Sequence, residues 1–163
     1  MAKSFKQKIV LYIKRVLLKR KGIIIYHSTV FSNICFKGTA KIEPYCRISG
    51  TPLVTLGDNF YMNAGCHLLG DITIGNDVMI GPKTVIWGRD HGMENIGIPM
   101  KKQQHIYEPI VIQDDVWIAA NVTVLKGVTI GKGAVIGAGA VVTKNIPPNA
   151  IAVGNPAKVV KYR

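Results

Sequence analysis

The sequence predicts a mainly β protein wound as a parallel β-helix, and three observations carry that expectation. From Ile112 to Val142 an aliphatic residue recurs every six positions, at Ile112, Ile118, Val124, Ile130, Ile136 and Val142. A small or β-branched residue follows four positions after the first five of these, at Val116, Val122, Val128, Ala134 and Ala140. Glycine is abundant, at 17 of 163 residues, which suits a chain that turns often. A helix would show a period near 3.6 and an ordinary sheet a period of two. A fixed hexapeptide period marks a stacked repeat, a parallel β-helix. Each six-residue unit is one flat side of a triangular coil, with the aliphatic residue inward. The small residue lets the chain bend at the corner, where Gly or Asn takes a positive φ.

The totals narrow the partners. The length fits one domain, and 48% hydrophobic residues suffice for a core. A net charge of +12 calls for an anionic partner: a phosphorylated cofactor, a membrane surface or nucleic acid. Nucleic acid drops out, because aromatics are sparse at 7% and no binding module is present. Cys46 and Cys66 fall on the small-residue position, so they should be buried, while Cys35 is off that register. The odd cysteine count without paired spacing suits a reducing cytosol. No apolar run is long enough to span a bilayer. Lys14 and Arg15 interrupt what would be a signal-peptide core, so a cytoplasmic protein is expected.

Residues 1–22 are expected as a basic amphipathic helix. Phe5, Ile9, Tyr12 or Ile13, Val16 and Leu17 share a face at spacings of three and four. Lys3, Lys6, Lys8, Lys14, Arg15, Lys19, Arg20 and Lys21 carry the charge, and no acid appears before Glu43. That face either lies on an anionic membrane surface, as a peripheral contact, or packs within the protein. Gly22 is placed to end the helix. Residues 23–163 form the β-helix. Val30, Phe36, Ile42 and Ile48 keep the six-residue step, which slips by two around Gly50-Thr51-Pro52. It resumes at Leu56, Met62, Leu68, Ile74, Ile80 and Ile86, with Cys66, Val78 and Thr84 as small partners. Residues 87–111 break the period and must loop out of the prism, as functional excursions commonly do. The tail, 144–163, leaves the repeat at Pro147-Pro148.

ITIGNDVMIGP (72–82) and IVIQDDVWIAANVTVLKGVTIGKGAVIGAGAVVTKNIPPNAIAVGNPAKVVK (110–161) resemble the hexapeptide-repeat acyltransferases. More narrowly they are similar to the sugar O-acetyltransferases related to the maltose, galactoside and capsular-polysaccharide enzymes. The resemblance spans residues 56–163. It implies a left-handed β-helix, a homotrimer, and an acetyl-CoA site in each groove between subunits. It also implies a sugar or glycan acceptor and no metal.

Acetyl transfer from a thioester to a hydroxyl needs a base at the acceptor oxygen, donors for the oxyanion and a positive slot for the coenzyme phosphates. Imidazole is the side chain that exchanges its proton near neutral pH. Of the four histidines, His91 lies in the loop sequence GRDHGM, where the resemblance places the general base, and it is preferred over His105. Asp90 is a candidate to orient its ring. The resemblance assigns Asn63 to the acceptor site and, more weakly, Asp71. Trp117 lies beside an inward position and should face outward, where the resemblance places the coenzyme. Ala119 and Ala120 leave room for backbone N–H groups, with Ala120 N–H the candidate oxyanion donor. Ala138, Thr143, Lys144, Lys158 and Lys161 match coenzyme-contact positions. No covalent nucleophile is evident, so transfer should be direct.

Three rival readings remain. An N-acetyltransferase acting on an amino-sugar nucleotide would use the same coenzyme and base. A structural β-helix without catalysis would leave the loop, the outward Trp and the basic tail without purpose. A γ-type carbonic anhydrase needs three histidines converging on zinc, and the spacing of His67, His91 and His105 does not suit that.

Overall fold

The computed structural model describes residues 5–163, with side chains from Ile9 onward. The chain forms a parallel β-solenoid closed at its N-terminal end by a single helix. Three inward columns fill the prism. The first stacks Ile25, Ile42, Met62, Ile80, Ile118, Ile136 and Ala152 in direct parallel register. The second stacks Phe31, Ile48, Leu68, Ile86, Val124 and Val142. The third stacks Phe36, Leu56, Ile74, Ile112, Ile130 and Ile146. Six residues are one side of the triangle, so residues eighteen apart become vertical neighbours and the apolar period becomes a continuous core.

The corners follow the expected chemistry, with one refinement. Positive φ falls one residue before the buried small position, at Asp115, Asn121, Gly127, Gly133 and Gly139. The buried corner residues stack as a second kind of column. Cys46 and Cys66 are buried within it, at 2% and 0% exposure, and donate to the carbonyls of Asn63 and Gly81 at 3.2 and 3.1 Å. The Cys46 side chain beside it, together with burial, pushes the Cys66 thiol far above the usual range, which keeps it inert.

Two expectations at the N-terminal end need correction. Val30 is 47% exposed; the inward residue is Phe31, paired with Ile48. The step from Phe31 to Phe36 is five residues, because the first turn pairs irregularly with Arg47–Leu56. The slip at Gly50 is a bulge, where Val54 pairs Ile72 while Gly50 pairs Gly70.

The helix, Phe5–Lys19, forms as expected and ends at Gly22 with φ +77. The face it turns to the core differs from the expected one. Leu11 and Leu18 pack against the core, Arg15 donates to the Thr29 carbonyl at 2.7 Å, and Lys14 sits 5.0 Å from the Phe31 ring centroid. Ile9, Tyr12, Ile13, Val16 and Leu17 are exposed instead. The open end of the coil is small and partly polar, with the Thr29 carbonyl at its rim, so the narrow Leu11–Arg15–Leu18 edge fits it. The expectations for the side chains of Lys3, Phe5, Lys6 and Lys8 lie outside the described residues.

Candidate active site

One flat face carries a row of outward residues beside each inward column. On the first face the rungs place Tyr61, Met79, Trp117, Val135, Ile151 and Lys161 in one row. Trp117 is 49% exposed there, as its position beside Ile118 requires. Lys161 lies three strand spacings from it, about 14 Å. Lys158 pairs with Val153 on the antiparallel strand Lys158–Tyr162 that finishes this face. Asn63 lies in the next row over. It joins Tyr61, Met79, Gly81, Pro82, Trp117, Ala119 and Ala120 around a cleft of about 330 Å³.

The peptide between Ala119 and Ala120 is the polar feature of that cleft. Ala119 N–H is committed to the Ile136 carbonyl at 2.9 Å, whereas Ala120 N–H has no protein acceptor among the described residues. Thr84, fully buried, donates to the Ala119 carbonyl at 2.9 Å and accepts from Val122 N–H at 3.3 Å. Gly81 lies directly beneath. A Cβ there would come within 2.6 Å of Ala119 C and 2.7 Å of Ala120 N. Ala138 is stacked over Ala120 at the same corner, with Gly139 N–H donating to the Ala120 carbonyl at 2.9 Å. Thr143 and Lys144 are exposed where the repeat ends.

Asn63 does not take positive φ; Gly65 does that work in its turn. Its side-chain oxygen accepts from Ala64 N–H at 2.7 Å, which leaves its amide nitrogen facing the cleft region without a described partner.

The predicted base lies elsewhere in the chain. The excursion leaves the coil after Trp87 and re-enters at Ile110, which is fully buried, so its boundaries are slightly tighter than 87–111. Its two stems, Arg89–Asp90 and Ile106–Tyr107, pair antiparallel, with Ile106 opposite Asp90. That pairing brings His91 against His105, ring centroids 4.4 Å apart, and Tyr107 lies 6.1 Å beyond His105. His91, His105, Trp87, Arg89 and Asp90 line a small cavity of about 80 Å³. Asp71 lines a neighbouring hollow of about 400 Å³ with Thr51, Pro52, Tyr107 and Pro109.

Asp90 does not take the expected orienting role. Its carboxylate lies 3.9 Å from Lys126 and makes no hydrogen bond to His91. Lys126, on the coil, also pairs closely with Glu108 at the other stem, and that carboxylate raises its pKa above the usual lysine value. Lys126 therefore ties both stems to the scaffold. Sequence reasoning missed Lys126, Glu108 and Tyr107 as well as the closeness of His105. Their only signal is the antiparallel pairing of two two-residue strands, too short to show a period.

The sites therefore fall into two groups within one chain. Asn63, Trp117, Ala119, Ala120, Ala138, Lys158 and Lys161 share or border one face. His91 and Asp71 belong to the loop side and line different cavities from Trp117.

The family model for bacterial transferase hexapeptide (six repeats) matches residues 109–144. The solved structure of a maltose O-acetyltransferase from Clostridium difficile 630 is 34% identical with a TM-score of 0.66, covering 93% of this chain and 75% of that one. A protein of Schizosaccharomyces pombe, named provisionally as an acetyltransferase, is 42% identical over 151 residues, 89% of this chain and 69% of its own. This chain belongs to the hexapeptide-repeat acyltransferases. A further hexapeptide-repeat acetyltransferase, from Vibrio cholerae and solved with acetyl-CoA, is 29% identical with a TM-score of 0.69, covering 93% of this chain and 77% of that one. Membership accounts for the coil. Among the described residues, no three His, Cys, Asp or Glu side chains gather as metal ligands do.

Proposed function

We propose that this protein is an acetyl-CoA-dependent O-acetyltransferase acting on a hydroxyl of a sugar or glycan unit. The observation that carries this is the cleft in which an exposed Trp117 borders the Ala119–Ala120 peptide, with the Ala120 N–H unpaired. An N–H with no protein acceptor, held by Gly81 and Thr84, is preorganised to receive a developing oxyanion. The row from Trp117 to Lys161 suits an extended coenzyme, with Lys158, Lys161 and Lys144 toward its phosphates and Ala138 and Thr143 along its path.

Acetyl-CoA supplies the acetyl thioester. In this reading His91 takes the proton of the acceptor hydroxyl as its oxygen bonds to the acetyl carbon. Ala120 N–H holds the oxyanion, the C–S bond breaks, and the proton leaves with the coenzyme thiol. His105, packed against His91 with the rings tilted by 41°, holds the ring's place where Asp90 does not. The hollow of Asp71 and Tyr107 suits a sugar ring, with an aromatic face for C–H packing and a carboxylate for hydroxyls. Asn63 faces the acceptor from the opposite wall.

In this reading the groove lies between two copies in the homotrimer implied by the resemblance, one contributing His91 and the other Trp117, which line separate cavities within one chain. The reading places the enzyme in the cytoplasm, where three unpaired cysteines stay reduced. The test is an acceptor screen with labelled acetyl-CoA, scoring O- against N-acetyl products. Esters on sugar hydroxyls are expected, and His91→Ala should lower turnover about 10²–10⁴-fold while coenzyme binding persists. Amide products alone would promote the N-acetyltransferase reading, and near-normal turnover of His91→Ala would remove it as base.

A further inference from the structure

The N-terminal helix presents its apolar stripe to solvent, the reverse of a helix that merely covers a core. Leu11, Arg15 and Leu18 face the coil. Opposite them Ile9, Ile13 and Val16 form the outward stripe, flanked by Val10, Tyr12 and Leu17, all between 39% and 69% exposed. Lys19, Arg20 and Lys21 stand exposed at its end, and Lys3, Lys6 and Lys8 precede it in sequence. No acid occurs in the first 42 residues.

We propose that this helix docks the protein on a membrane surface bearing anionic headgroups. An apolar stripe rimmed by basic residues lies in the interface plane with its apolar side about 5–10 Å deep. Each basic side chain near an anionic surface adds about 1 kcal/mol. No helix among the described residues is long and apolar enough to cross a membrane, so the contact is peripheral.

Charge argues against a second copy as the occupant. The chain has nine acids against 21 lysines and arginines, and four of the nine already pair with basic side chains within it. Lys41 holds Glu43, Lys126 holds Glu108 and Asp90, and Arg163 holds Asp115. A copy of this chain carries a net charge of +12, so it repels the basic helix overall, and its own helix is equally basic. Anionic lipid supplies both the charge and the apolar layer.

The test is sedimentation of the full-length protein with vesicles of phosphatidylcholine alone or mixed with phosphatidylglycerol. Binding is expected only to the anionic vesicles and should fall as salt is raised. Ile13→Asp should abolish it, and Lys19→Gln should weaken partitioning about fivefold. Equal binding to both vesicles, or unchanged binding by Ile13→Asp, overturns the proposal. So does absence of binding, and a shift in oligomeric state of Ile13→Asp would then assign the stripe to a second copy. The readout needs no acetyl transfer, so it stands or falls apart from the assignment of the reaction.

Discussion

At the scale of single residues, the site depends on a position with no side chain. Gly81 lies under the Ala119–Ala120 peptide, closer than any Cβ tolerates. Gly81→Ala must push that peptide outward or drop its own rung. Overpacking of this kind costs about 1–3 kcal/mol. A displacement toward 1 Å at the proposed oxyanion donor, Ala120 N–H, costs turnover about 10²-fold. The expected outcome is a folded protein with turnover lowered about 10–100-fold and a modestly lower unfolding midpoint. A variant with normal turnover would separate Ala120 N–H from the chemistry. Thr84 does the complementary work. Its hydroxyl satisfies the Ala119 carbonyl and Val122 N–H in the corner column it shares with Cys66, Val122 and Ala140, so the peptide is held from behind as well as from below.

At the scale of elements, the loop is a hairpin stem bolted to the coil by one lysine. Lys126 pairs with Glu108 on one stem and approaches Asp90 on the other. Lys126→Met should loosen both stems and let His91 and His105 part. Turnover should drop while the unfolding midpoint moves little, since the coil's columns are untouched; Lys126→Arg should restore part of the loss. Hydrogen exchange of residues 89–107 rising in the methionine variant is the structural check. Because Lys126 has a raised pKa in the fold, its contribution is complete below the ordinary lysine range and is lost only as pH rises through its higher folded value. Neutral pH profiles should therefore show no step from this tie. The coil was legible because its period is enforced at every rung: Ile80, Ile118 and Ile136 each had one place to go. Trp117 was legible for the same reason, since a neighbour of an inward residue must face outward. The stem pairing was not, because Arg89–Asp90 and Ile106–Tyr107 are too short to carry a pattern. The helix was half legible. Its apolar spacing was plain, but which edge met the coil depended on the size of the opening and on the Thr29 carbonyl that Arg15 reaches.

At the scale of the whole molecule, His91 and Trp117 line separate cavities of one chain, and the proposed reading joins them in a groove between two copies. Co-expressed His91→Ala and Trp117→Ala chains should regain turnover well above either parent, because mixed assemblies contain grooves with an intact residue from each. Failure of the mixture to exceed its parents would confine the reaction to a single chain. The excursion has one more consequence. Its ends meet at the coil, where Glu108 N–H bonds the Gly88 carbonyl at 3.2 Å and Gly88 N–H bonds the Leu69 carbonyl at 2.7 Å. Ile86 and Ile112 therefore keep their places in the columns however many residues intervene. The hairpin's tip and its length can therefore change while the rungs above and below stay in register. The coil and the excursion are free to diversify at different rates.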